Sequence, residues 1–304
     1  MAERRSTMRD VARASGVSPA TVSFVLNDAP DQTISAETRA RVLAAAGELG
    51  YHVHPIARAL REGSSRLVVL EVGEIPRAPM LEAFIDGLDE ELATAGYGLF
   101  VSFSGAARRS GAAAVEAVNP RAIIDLPGLY AGSDDGAADG GWIDGMASHL
   151  QTQLAYLAET GHSSVAIATA TGASPFELKL TGYSQTAARR LGMPELVTFG
   201  VGDGTSLRRH VRELPQSVTA IAAQTDTVAF AILAELLDAG IAVPGRMALI
   251  GMGDVPEAAF WRPALTTVRV DTRSYGRRLA RQILGLAVGD AAPAPTQIIH
   301  RATA

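Results

Sequence analysis

The stretch Met8-Arg-Asp-Val-Ala-Arg-Ala-Ser-Gly-Val-Ser-Pro-Ala-Thr-Val-Ser-Phe-Val-Leu-Asn27 decides how the chain is read. It is preceded by Thr7, and Thr7-x-x-Asp10 is a capping-box pattern with Asp where Glu or Gln is usual. The helix begun there, with Val11 and Ala14 inward, ends at Gly16. Ser18 stands next as an N-cap and Pro19 at the first helical position, where the proline's lack of an N–H does no harm. The spacing of Val22, Val25 and Leu26 predicts one buried face for this second helix and puts Pro19, Ala20, Ser23 and Phe24 on the other. Asn27–Pro30 stops it. A third helix follows Ser35, with Val42, Leu43, Ala46 and Leu49 inward. Two short helices around a glycine turn, propped by a third, form a helix-turn-helix arrangement. Its second helix can enter a major groove while hydroxyls such as Thr7, Thr21 and Ser23 hold phosphates. The competing reading is a small helical cap on a larger protein. Phe24 weighs against it, because an outward aromatic on so small a domain needs a base, a thymine methyl or another protein as partner.

Beyond Leu67 the texture changes to apolar runs of strand length alternating with amphipathic stretches. Strands are expected over 66–72, 97–103, 122–126, 165–168, 218–223 and 247–251, and helices over 80–95, 150–160, 181–191 and 227–239. Continuous apolar runs are the mark of strands buried on both faces. Their alternation with helices implies parallel βαβ units with right-handed crossovers, enough for two packed α/β lobes with a cleft between them. Residues 105–141, rich in Gly, Ala and Asp, are expected to be loop-rich with one strand.

The N-terminal stretch resembles the signature of LacI/GalR-type repressors. Ser35-Ala-Glu-Thr-Arg39, Leu49-Gly-Tyr51, Ala57-Arg-Ala-Leu60, Gly161-His162, Leu265-Thr-Thr-Val268 and the Gly276 segment extend the likeness over nearly the whole chain. The resemblance implies a helix-turn-helix DNA-binding domain over residues 1–50 and a hinge helix or linker over 51–64. It also implies a periplasmic-binding-protein-like core over 65–304 that binds an effector and dimerises. One lobe would hold about 65–145 plus 271–286 and the other about 146–268. Base-reading positions fall on Pro19, Ala20 and Phe24, the last without the usual polar or Arg reader; Thr21, Ser23 and Asn27 match phosphate-contacting positions, and Ser18 and Thr7 flank them. Leu60 matches the leucine that wedges into a minor-groove step, with His54, Ala57 and Arg58 beside it. Effector-contacting positions fall on Lys179, Thr225, Asp226 and Gly253, with Phe176 and Asp144 nearby. Here the chain departs from its relatives. Lys179, the only lysine, replaces an Arg, Thr225 an Asn and Gly253 an Asp, and the segment from Ser104 to Asp144 is shorter than usual. A lysine cannot reproduce the bidentate fork of an arginine. The partners implied are a palindromic double-stranded operator, a second copy of the chain and a small-molecule effector such as a sugar; no cofactor or metal is implied. A solute-binding module on the same core, and a regulator needing no effector, stay open as alternatives.

Other chemistry finds little support in the 304 residues. There is no cysteine, so thiol catalysis and zinc ribbons are excluded. Gly200-x-Gly202-x-Gly204 lacks the third glycine of a dinucleotide fingerprint and reads as a turn before a helix capped by Thr205 or Ser206. No nucleophile, base and orienter assemble, so no enzyme is expected. His149, His162 and His210 are expected to be solvated or capping. No apolar run approaches the roughly 18 residues of a membrane span, and a polar stretch follows Arg4 and Arg5, so a cytoplasmic protein is expected. The net charge of −5 argues against a protein that coats nucleic acid. It is unevenly spread: residues 1–66 hold nine arginines and seven acidic residues, net +2, against −7 for the remainder. A site-specific reader whose affinity leans on groove fit and dimerisation is compatible with that division.

Overall fold

The computed structural model describes residues 6–26, 34–51, 65–73, 75, 77–103, 118–131, 145–171, 174–202 and 204–304. The chain divides into two compact units: residues 1–66 with 115–121, and residues 67–114 with 122–304.

In the first unit α1 (Met8–Ser15), α2 (Pro19–Leu26) and α3 (Ala36–Glu48) surround a core of Val11, Ala12, Val22, Val25, Val42, Ala45 and Ala46. Asp10 completes the capping box in place of the longer acids. Thr7 N donates to Asp10 Oδ2 at 3.0 Å, and Asp10 N to Thr7 Oγ1 at 3.3 Å. Gly16 ends α1 at φ 68°, a left-handed backbone that glycine adopts without strain. Two inward assignments are corrected. Ala12, not Ala14, is buried in α1, and in α3 the buried stripe is Val42, Ala45 and Ala46, leaving Leu43 and Leu49 exposed. Helical periodicity explains the second: positions three and four after Val42 share its face, whereas Leu43 lies about 100° away.

The second unit contains two sheets. In the first, β1 (Leu67–Glu71) is flanked by β2 (Gly98–Ser102) and β3 (Ala122–Asp125), all parallel. One face of it, carrying Val68, Leu70, Leu99, Val101 and Ile124, packs with α4 (Pro79–Thr94) and with the helix Thr272–Leu284 near the chain's end. Directly after β3, α5 (Leu126–Ala131) occupies part of the stretch expected to be loop.

The second sheet has the order β5-β4-β6-β7-β8-β9. It comprises β4 (Val165–Thr169), β5 (Val197–Gly200), β6 (Ala220–Ala223), β7 (Ala248–Met252), β8 (Thr266–Arg269) and β9 (Gln297–Ile299). Only β9 is antiparallel to its neighbour. Every residue of β4, β6 and β7 is buried, which is why their sequences, apart from Thr169 at the end of β4, read as apolar runs rather than as alternation. On one face lie α6 (Met146–Glu159) and α7 (Pro175–Arg190); on the other, α8 (Gly204–Glu213) and α9 (Asp226–Asp238). The helix Thr272–Leu284 is α10.

Helix α7 starts six residues before the expected Thr181. Ser174-Pro-Phe-Glu177 is a full capping box with proline at N1. Of the three histidines expected to be solvated or capping, His149 is buried and His162 and His210 are half-buried. His149 is buried with Nδ1 2.6 Å from Thr296 Oγ1, His162 Nδ1 lies 2.9 Å from Thr219 Oγ1, and His210 Nδ1 lies 3.1 Å from Gly200 O. Each ties a helix or turn to a loop or strand end, and burial holds the His162 imidazole below its ordinary pKa. Among the described residues no helix is long and apolar enough to cross a membrane.

Candidate nucleic-acid interface and strand-end site

Two groups of residues face outward or converge in a way the core does not require. The first is α2. Its inward residues Val22 and Val25 are buried, while Ser18, Pro19, Ala20 and Phe24 are exposed and Thr21 and Ser23 half-buried. Ser18 caps the helix: its Oγ accepts from Thr21 N at 3.1 Å and lies 2.9 Å from Thr21 Oγ1. Thr7 is exposed at the start of α1, its hydroxyl donating to Asp10 Oδ2 at 2.6 Å. A short α1, a glycine turn and an α2 with one open face thus present hydroxyls at two helix starts and an apolar surface between them. Asn27, His54, Ala57, Arg58 and Leu60 lie outside the described residues.

The second group sits at the C-terminal edge of the six-stranded sheet, the end at which open α/β sheets hold ligands. Thr225 caps α9, its Oγ1 accepting from Val228 N at 3.2 Å. Asp226 is buried at 1% exposure. Its Oδ2 accepts from Val255 N at 2.9 Å and its Oδ1 from Thr267 Oγ1 at 2.5 Å, and burial pushes its pKa up. The corner it holds, Gly253–Val255, is gripped from the other side by Asp254. That residue has φ 50° and accepts from Arg269 Nε at 2.7 Å and Arg301 Nη2 at 2.6 Å. Gly253, at φ 132°, has Met80 of α4 against it, 3.6 Å from where a Cβ would stand. Phe176 is half-buried on the α6–α7 side of the sheet. Lys179 is half-buried too, its ammonium 5.2 Å from the centre of the Tyr183 ring in a cation–π contact. Asp144 lies outside the described residues.

Sequence reasoning missed Gln153, Thr169 and Gln224. Thr169 ends β4, and Gln224, the residue after β6, donates its backbone N–H to Ala168 O at 2.9 Å. From α6, Gln153 Nε2 donates to Ala223 O at 2.9 Å and to Gly251 O at 3.0 Å. Gln153 Oε1, Thr169 Oγ1 and Gln224 Nε2 are buried and have no hydrogen-bond partner among the described residues. A period-of-two reading of β4, continued one residue past β6, could have flagged Thr169 and Gln224 as polar residues at core-facing positions.

Glu177 closes the loop between β4 and α7. It is 3% exposed; Oε1 accepts from Thr171 N at 2.7 Å, and Oε2 from Ser174 N at 3.2 Å, Ser174 Oγ at 3.0 Å and the Thr171 hydroxyl. Burial alone would raise its pKa, but these donors outweigh it and hold the carboxyl below its ordinary 4.5. The stability it contributes is therefore complete above that ordinary value and fades as pH falls from there through the lower folded value. Glu177→Gln is expected to lower stability at neutral pH by about 2 kcal/mol and to flatten the acid limb of a urea-midpoint-against-pH curve. An unchanged acid limb would show that these donors do not hold the carboxylate.

A helix-turn-helix head joined to a parallel α/β core with a polar strand-end corner defines a ligand-responsive DNA regulator in architecture. The family model described as "Bacterial regulatory proteins, lacI family" matches residues 7–54, and that of a "Periplasmic binding protein-like domain" matches residues 154–303. The chain belongs to the lacI family of bacterial regulatory proteins. It is 30% identical over 329 residues to the HTH-type transcriptional regulator GalR of Escherichia coli (strain K12), covering 95% of this chain and 91% of that one. It is 26% identical over 301 residues to the Ribose operon repressor of Bacillus subtilis (strain 168), covering 92% and 91%. Among solved structures it shares its fold with the Lac repressor bound to ONPG in the repressed state, at a TM-score of 0.75 and 21% identity over 99% of this chain and 100% of that one.

Proposed function

We propose that the chain is a cytoplasmic, non-catalytic transcription repressor that binds a two-fold-symmetric operator as a homodimer and is tuned by a small molecule. The observation that carries this is the split character of α2, with Val22 and Val25 buried and Pro19, Ala20 and Phe24 turned to solvent, in a chain 30% identical to a transcriptional regulator over nearly its full length. Pro19, Ala20 and Phe24 meet base edges, while Thr7, Ser18, Thr21, Ser23 and Asn27 meet phosphates. Residues 51–64 form the hinge, in which Leu60 opens a minor-groove step with His54, Ala57 and Arg58 against the backbone. Residues 65–304 bind the effector and dimerise, with Asp144, Phe176, Lys179, Thr225 and Asp226 around the effector. Effector binding biases a two-state equilibrium between DNA-competent and DNA-released forms by its differential affinity for the two.

Selection of duplexes bound by the full chain from a random pool tests the reading. One two-fold-symmetric site is expected, with affinity falling steeply and log-linearly with salt. Recovery of no sequence preference would overturn it.

A further inference from the structure

The outward face of α2 is unusual for a groove-reading surface because of what it lacks. Ser18 and Thr21, the hydroxyls nearest its start, are engaged with each other. At Pro19, Ala20 and Phe24, all exposed, no side chain carries a donor or acceptor. Phe24 keeps 38% of its surface in water on a helix whose other large residues are buried or half-buried, so its ring is open to an apolar partner. In the major groove three of the four bases offer only hydrogen-bonding edges; thymine alone adds an apolar group, its C5 methyl. Ala20 and Phe24 are one helical turn apart, about 6 Å along the axis, which is close to two base steps of about 3.4 Å.

We propose that Phe24, with Ala20 one turn before it, reads thymine C5 methyl groups, so that the partner DNA carries thymine beneath these two side chains, at positions about two base steps apart. The inference rests on the operator-binding reading of the head and adds the chemistry by which bases are told apart. Recognition is of the methyl and not of the pairing edge, so 5-methylcytosine substitutes for thymine at these positions where cytosine does not.

The test uses the full chain and the site recovered from the random pool, with binding followed by fluorescence anisotropy at one fixed salt concentration. Each thymine is replaced in turn by deoxyuridine, which removes the methyl and leaves every hydrogen-bonding group in place. An affinity loss of about fourfold per methyl is expected at one or two positions in each half-site and none elsewhere. At those positions 5-methylcytosine paired with guanine binds more tightly than unmodified cytosine. In Phe24→Ala the deoxyuridine penalty disappears at the position beneath residue 24 and stays at any position beneath Ala20, while Phe24→Leu, which keeps an apolar side chain, retains part of it at the first. A recovered site at which no deoxyuridine weakens binding, or one at which every penalty persists in full in Phe24→Ala, overturns methyl reading and leaves the operator-binding reading standing. Failure to recover any site removes both.

Discussion

Gly276→Ala is expected to destabilise the second unit by about 3 kcal/mol, at the upper end of what overpacking a core commonly costs. A Cβ on Gly276 would stand 2.1 Å from Phe84 O and 2.7 Å from Leu88 N, both backbone atoms of α4. The contact is reciprocal, since a Cβ on Gly87 of α4 would stand 2.0 Å from Arg273 O of α10. Backbone cannot rotate away as a side chain can, so the two helices would have to separate. Separation would open the core beneath them, where Leu88, Leu92 and Ala280 are fully buried. The ion pairs along the seam, Glu90 with Arg273 and Glu91 with Arg281 and Arg277, lie at its edge and contribute too little to hold it closed. Gly182→Ala provides the contrast. Gly182 lies inside α7 in ordinary helical conformation, and a Cβ there would meet nothing within 4 Å. Replacing it with alanine should stabilise by about 1 kcal/mol through helix propensity alone. Urea midpoints followed by circular dichroism read both variants. Shifts of the same sign would show that close approach is not what Gly276 provides.

The difference between these glycines marks the limit of what the sequence discloses. Gly182 lies one turn from Lys179, a position the resemblance singles out, yet a Cβ there would meet no neighbour. Gly87 draws no notice in the sequence and is where two backbones meet. Elements whose signal is local were legible: the caps at Thr7, Ser18 and Ser35, the α2 face set by Val22 and Val25, and the buried strands β4, β6 and β7, whose apolar runs need no partner to be recognised. Elements defined by distant partners were not. β8 and β9 pair with each other across nearly thirty residues, and their short sequences, Thr-Thr-Val-Arg and Gln-Ile-Ile, carry little pattern of their own. Leu43 and Leu49 misled because a leucine attracts assignment to the core while Ala45, the residue that faces it, does not. At the strand-end corner Thr225 and Asp226 were singled out by resemblance alone. Gln153 and Gln224, each with one buried polar atom left without a partner among the described residues, were not, because nothing in a single sequence tells a buried glutamine from an exposed one.

Asp226→Ala is expected to lower stability by about 3 kcal/mol, since it removes the shared acceptor of two buried donors. Val255 N–H and the Thr267 hydroxyl both end on this carboxylate, and the backbone N–H has no freedom to turn elsewhere. The site is shaped around the carboxylate as well. A Cβ on Gly251 would fall 2.1 Å from Asp226 Oδ1, so the glycine is what lets the acid reach across β7 to β8. With both oxygens committed to the protein, the first duty of Asp226 is to fix the Gly253–Val255 corner, and any influence on a ligand passes through that corner. The pH dependence has the opposite sign to that of Glu177. Burial raises the folded-state pKa of Asp226 above its ordinary 3.8, with the Asp254 carboxylate adding to the rise and the Thr267, Val255 and Arg301 contacts opposing it. The folded state therefore holds this proton at pH values where the unfolded chain has released it. The stability associated with the group declines as pH climbs from the ordinary aspartate range through the raised value. Asp226→Asn keeps one acceptor oxygen and cannot ionise, so it is expected to lose less stability than the alanine variant and to remove this decline. Urea midpoints measured across that range for the parent and both variants provide the check. An alanine variant as stable as the parent but altered in its response to a bound small molecule would assign the carboxylate to the ligand instead of to the fold.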